Sequence, residues 1–92
     1  MEDKITRQKI EKYYAITSKA AEIAKKSVNK TKKAQAAEIL LMVECYLKDS
    51  QYFKGKKDYA TCFAAINYAH GWLDCGARLK IFLVTDNTLF TV

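Results

Sequence analysis

The stretch Phe53-Lys54-Gly55-Lys56-Lys57-Asp58-Tyr59 decides the fold, because it interrupts two long segments that both carry a helical repeat. Upstream, Ala36, Ile39, Leu40, Val43, Tyr46, Leu47, Ser50 and Phe53 recur three and four residues apart, which is the spacing of one buried helix face. Downstream, the same period runs from Tyr59 to about Val84. Between them, Gly55 suits the residue after a helix end, and Asp58 can accept the orphan amide hydrogens of a new first turn. So short a break predicts an antiparallel helical hairpin of residues 34–53 and 59–84.

Toward the N-terminus a third periodic segment covers residues 3–28. Thr6, Ile10, Tyr13, Thr17, Ala20, Ala24 and Val28 share one side, with Arg7, Glu11, Glu22, Lys25 and Lys26 opposite. Its apolar side chains are small, so this helix should lean on the hairpin. Asn29 is placed to close it in the left-handed conformation, and Thr31 to cap the next helix. The expected fold is all-α: an up-down-up three-helix bundle with a short C-terminal tail, forming one domain over residues 1–92.

Composition agrees and excludes alternatives. A chain of 92 residues, half of them apolar, has material for one core, and three Gly with no Pro cannot serve the many tight turns of an all-β fold. The longest uncharged run, Tyr59 to Leu73, is 15 residues and includes Asn67 and His70, short of the roughly 20 apolar residues that cross a bilayer. No membrane partner is expected. The first residues lack an apolar leader segment, so no signal peptide is expected either. Three Cys without framework spacing fit a reducing, cytoplasmic setting.

The third segment is apolar on two nearly opposite sides. Tyr59, Cys62, Phe63, Ile66, His70, Leu73, Ala77 and Ile81 form one stripe; Tyr68, Trp72, Cys75, Leu79 and Phe82 form the other. A bundle helix meets its two neighbours over an arc well short of a full circle, so one stripe is surplus. The second has the four-three spacing of a coiled-coil seam, and it is the expected interaction surface, most simply of a homodimer with Trp72 as anchor. Leu89, Phe90 and Val92 in the tail should fold back over its Leu79 and Phe82 end alone. Gly71 and Gly76, both in mid-helix, suggest close approach by another group.

The candidate polar site is Glu38, His70, Asp74 and Arg78. His70, Asp74 and Arg78 stand four residues apart on one ribbon, and a carboxylate beside an imidazole fixes its tautomer and raises its basicity, as a general base or ligand requires. Antiparallel packing would bring Glu38 level with Asp74. Even so, the paired Glu-x-x-His motifs of helical di-iron proteins are absent, so no metal and no cofactor are expected. Cys45, Cys62 and Cys75 lack the spacing of a zinc site. The chain has one His, no nucleophile elbow and no phosphate-binding glycine loop, so no catalytic residues are assigned. His70 lies on the inward stripe, which predicts a structural role.

Charge is uneven. Residues 1–33 hold ten Lys or Arg against four Asp or Glu, whereas residues 34–92 hold six of each, so the whole net charge of +6 sits in the first third. Lys25, Lys26, Lys30, Lys32 and Lys33 could attract nucleic acid, but no aromatic residue interleaves them, and only weak, salt-sensitive binding is expected.

The run from Tyr46 to Asp74, with Tyr46, Asp49 and Phe53 before the Gly55 hairpin and the heptapeptide Tyr68-Ala69-His70-Gly71-Trp72-Leu73-Asp74 after it, resembles the archaeal domain-of-unknown-function family 357. The resemblance spans about residues 34–83 and implies a three-helix bundle in an archaeal, cytoplasmic protein. It implies no activity. The function expected is a self-associating protein-interaction module; the alternatives are a small ligand- or metal-binding domain or enzyme using His70 and Asp74, and a weak nucleic-acid binder.

Overall fold

The computed structural model describes residues 4–91. Three helices form: α1 (Arg7–Lys25), α2 (Lys33–Gly55) and α3 (Tyr59–Arg78), with a single 3-10 turn, Lys30–Lys32, before α2. α1 and α3 run alongside each other, Ile10 meeting Cys62 and Ile66 at one end and Ser27 meeting Leu83 at the other. α2 runs antiparallel to both. The up-down-up bundle expected from the periodicity is therefore the fold.

The local rules that start each helix differ from the expected ones. Thr6 is the N-cap of α1, its hydroxyl accepting from the Lys9 amide at 3.1 Å, so the helix starts later than residue 3, and residues 1–3 lie outside the described part. Asn29 is extended, with φ −66° and ψ 118°, and caps the 3-10 turn by accepting from the Thr31 amide. It closes no helix in the left-handed region, and Thr31 sits inside that turn, its hydroxyl donating to Asn29. At the hairpin, Gly55 is the last residue of α2, and Lys57 takes the left-handed conformation at φ 61°. The Asp58 amide then reaches back to the Phe53 carbonyl at 2.9 Å and the Lys57 amide to that of Lys54 at 3.0 Å, which is a Schellman closure. Asp58 caps α3 as expected, accepting from the Thr61 amide.

α3 ends six residues before Val84. Lys80 adopts φ 61°, the Ile81 amide donates to the Gly76 carbonyl at 2.8 Å and the Lys80 amide to that of Ala77 at 3.2 Å, a second Schellman closure. A lysine in the left-handed region costs about 1–2 kcal/mol. Burial offsets it: the turn sends Ile81, Phe82 and Val84 into the core, with Phe82 fully buried. A Cβ on Gly76 would overlap the Phe82 ring, so the glycine makes room for that ring. An isolated antiparallel bridge between Val28 and Phe82, with Asn29 N–H to Ile81 at 2.9 Å and Leu83 N–H to Ser27 at 2.7 Å, ties this segment to the α1–α2 connection.

The larger core cluster joins Ala20, Ala21 and Ala24 of α1, Ala36, Ile39 and Val43 of α2, Ala69, Leu73 and Ala77 of α3, and Phe82 and Phe90 beyond it. A smaller one joins Ile10, Cys62 and Ile66. Burial pushes the Cys62 thiol upward in pKa, which keeps it protonated and inert.

Candidate functional site

His70 occupies the inward stripe of α3, half-buried, and its two ring nitrogens are both engaged. Nε2 lies 2.7 Å from the Leu89 carbonyl, which can only accept, so Nε2 donates; Nδ1 is hydrogen-bonded to the buried Thr17 hydroxyl at 3.0 Å. Asp74 stands 3.7 Å from Nε2, beyond hydrogen-bond range. Its carboxylate instead accepts from the Thr91 amide at 2.9 Å and hydroxyl at 3.3 Å. One turn of α3 thus holds the returning tail by its backbone, while Phe90 is buried between these two attachments. The tail crosses α3 at His70 and Asp74, which corrects the expectation that it covers the Leu79 end alone.

Arg78 and Glu38 are exposed and stand outside this network. Among the described residues no three His, Cys, Asp or Glu side chains gather as a metal site. The ribbon's chemistry is that of a clamp: a donor for one carbonyl, an acceptor for one amide.

The other stripe is divided into three parts by the early end of α3. Tyr68, Trp72 and Cys75 are exposed and, with Tyr46, Ala64, Asn67 and Gly71, line an open groove of about 650 Å³. Leu79 lies past the helix end and is also exposed. Phe82 is removed from the surface altogether and belongs to the core, because the chain turns at Lys80 before the stripe can continue. Tyr46 stacks on Tyr68, ring centroids 5.3 Å apart and 19° from parallel, so α2 supplies one wall of the groove. Trp72 lines it from α3. Ala64 and Gly71 also line it, and a Cβ built on Gly71 would meet nothing within 4 Å. Tyr46, Ala64 and Asn67 were not singled out by the seam spacing; their small or polar side chains carry no apolar signal, and Tyr46 looks from sequence like a core residue of the second helix.

A small three-helix bundle with a polar clamp on its tail and an open aromatic groove is the class of protein these features define. No helix among the described residues is long and apolar enough to cross a membrane. The chain belongs to the DUF357 family of proteins of unknown function, whose model matches residues 12–82. Comparison with curated proteins and with solved structures returned no match.

Proposed function

We propose that the protein is a self-associating interaction module of a reducing, cytoplasmic setting, with the groove of Tyr68, Gly71, Trp72 and Cys75 as its contact surface. The observation that carries this reading is Gly71. It is exposed in mid-helix, has no positive φ and has open space where a Cβ would go. There it costs the isolated chain about 1 kcal/mol relative to Ala and returns nothing inside the molecule. A close approach from outside is what such a position serves.

A second copy is favoured because the bulky Trp72 and the side-chain-free Gly71 are neighbours in the groove, so a two-fold axis can set each protomer's Trp72 over its partner's Gly71. The exposed positions of α3 between Tyr59 and Leu73 are also uncharged in a chain of net charge +6, so this face brings two copies together without setting like charges opposite. Three free thiols, two of them exposed, support a reducing compartment. The reading in which His70 and Asp74 serve a ligand is disfavoured by their engagement with Leu89 and Thr91.

Sedimentation at micromolar concentration tests the proposal. The expected result is a wild-type dimer that Trp72→Ala converts to a folded monomer. A monomeric wild type, or a dimer indifferent to the substitution, would overturn it.

A further inference from the structure

The end of the bundle where α1 closes, the 3-10 turn lies and α3 stops has a composition unlike the rest of the chain. Residues 23–37 and 75–85 contain seven Lys or Arg and no Asp or Glu. The fold brings the two segments together through the bonds of Asn29 to Ile81 and Lys80, Leu83 to Ser27, and Lys32 to Leu79. Two of the seven cations have local partners: Lys25 pairs with Glu22, and the Lys32 ammonium donates to the Leu79 carbonyl at 2.9 Å. Lys26, Lys30, Lys33, Arg78 and Lys80 are exposed. From the same end protrude Leu79 and Leu83, 56% and 58% exposed although nearby Ile81, Phe82 and Val84 are buried.

We infer that this end is a docking surface for an anionic lipid bilayer, with the five exposed cations on headgroup phosphates and Leu79 and Leu83 dipping into the interface. Two features, neither explained by the fold, are explained together. With no carboxylate within the two segments, few like charges face a polyanion's phosphates, which relieve the mutual repulsion of the clustered cations, and each cation contributes about five-fold to partitioning onto an anionic membrane surface. The leucines decide which polyanion: half-exposed alkyl side chains gain little against the phosphates of nucleic acid, whereas they gain free energy on leaving water for the acyl boundary. The aromatic residues that would stack on bases, Tyr68 and Trp72, lie further up α3 in the groove. The inference concerns attachment to a surface and involves no span. Its two leucines are not among the residues that line the groove, which ends at Cys75, one turn before Leu79.

Flotation of the full chain with vesicles tests it, using phosphatidylcholine alone and phosphatidylcholine with about one-third phosphatidylserine at about 0.15 M salt, where surface charge still acts over several ångströms. The expected result is recovery with the anionic vesicles alone. Leu79→Ser with Leu83→Ser should weaken it about ten-fold or more, and Lys26→Glu, Lys30→Glu and Lys33→Glu together should abolish it. All five substitutions are at exposed positions, so an unchanged melting temperature and circular dichroism confirm folding. Tyr52→Ser, an exposed position at the opposite, hairpin end of the bundle, should leave flotation unchanged. The inference is overturned by absent or charge-indifferent flotation, by a leucine variant that floats like wild type, or by loss on Tyr52→Ser. It is equally overturned if duplex RNA or DNA binds more tightly than the vesicles and independently of both leucines.

Discussion

Gly76 and Gly71 sit five residues apart on α3, one enclosed and the other open. At Gly76 the missing side chain is replaced from within, by the ring of Phe82 and the Cδ1 of Ile39. At Gly71 nothing within 4 Å replaces it. One glycine is a socket for the chain's own returning segment, and the other is an open socket on the surface. The same residue type on the same helix therefore lies against the chain's own returning segment in one case and faces open space in the other.

The largest effects are expected at the closed socket. Phe82→Ala leaves a cavity under the α3 turn and should destabilise the fold by about 3–5 kcal/mol. Gly76→Ala keeps the ring but forces it and Ile39 aside, an overpacking that should cost about 1–3 kcal/mol despite the better helix propensity of Ala. Denaturant midpoints measure both. A Gly76→Ala protein as stable as wild type would show that Phe82 is not seated against the helix backbone, and the comparison would fail on its closed side.

The tail clamp comes next. His70→Ala strands the Leu89 carbonyl and the buried Thr17 hydroxyl, which should cost about 1–3 kcal/mol. The Thr91 amide should lose hydrogen-exchange protection before the helices do, since its bond to Asp74 is made only while the tail stays attached. Unchanged stability with loss of a bound molecule would instead make His70 a ligand-binding group.

At the open socket the sign reverses. Gly71→Ala should raise the stability of the monomer by about 0.5–1 kcal/mol, since the methyl meets no neighbour and helix propensity alone acts. It should also weaken self-association, because the methyl fills the space a partner's side chain would take. Stabilisation without loss of the dimer would remove Gly71 from the contact.

What the sequence made legible follows from the range of the forces involved. The three helices, the hairpin and the inward direction of His70 rest on periodicity, which every residue of an element reports. The end of α3 does not. Lys80 and Lys57 take left-handed conformations that residue type signals for Gly or Asn, and what holds Lys80 there is the burial of Phe82 against Gly76, a contact invisible to local pattern. For the same reason Phe82 reads as surface stripe and is core. The partners of His70 and Asp74 in the tail lie 19 and 17 residues further along the chain, past a turn whose course depends on that burial, and the other partner of His70, Thr17, lies 53 residues back. The groove was half legible: Tyr68, Trp72 and Cys75 follow from spacing, whereas the wall at Tyr46 depends on how α2 is rotated against α3.

The smallest effect concerns the turn that aims the tail. Asp86 Oδ1 accepts from the Thr88 amide at 2.8 Å, the Thr88 hydroxyl at 2.6 Å and the Leu89 amide at 3.2 Å. These bonds, that from the Thr88 side chain first, hold its carboxyl below the ordinary value of 3.8. A depressed folded-state pKa means the unfolded chain takes up the proton first, so the stabilisation is fully present above the ordinary value and is lost as pH falls through the lower folded one. At neutral pH the turn is intact, and between that ordinary value and more acid conditions it should loosen. The group lies at the surface of the tail turn, so the bulk fold should register little of this. The readout is local: the Thr88 and Leu89 amide resonances should shift in that acid window together with the Asp86 carboxyl, and Asp86→Asn should remove the dependence. A carboxyl that titrates at its ordinary value, with both amides unmoved, would show that Leu89 reaches His70 without this turn, leaving the burial of Phe90 as what brings the tail back to the closed side.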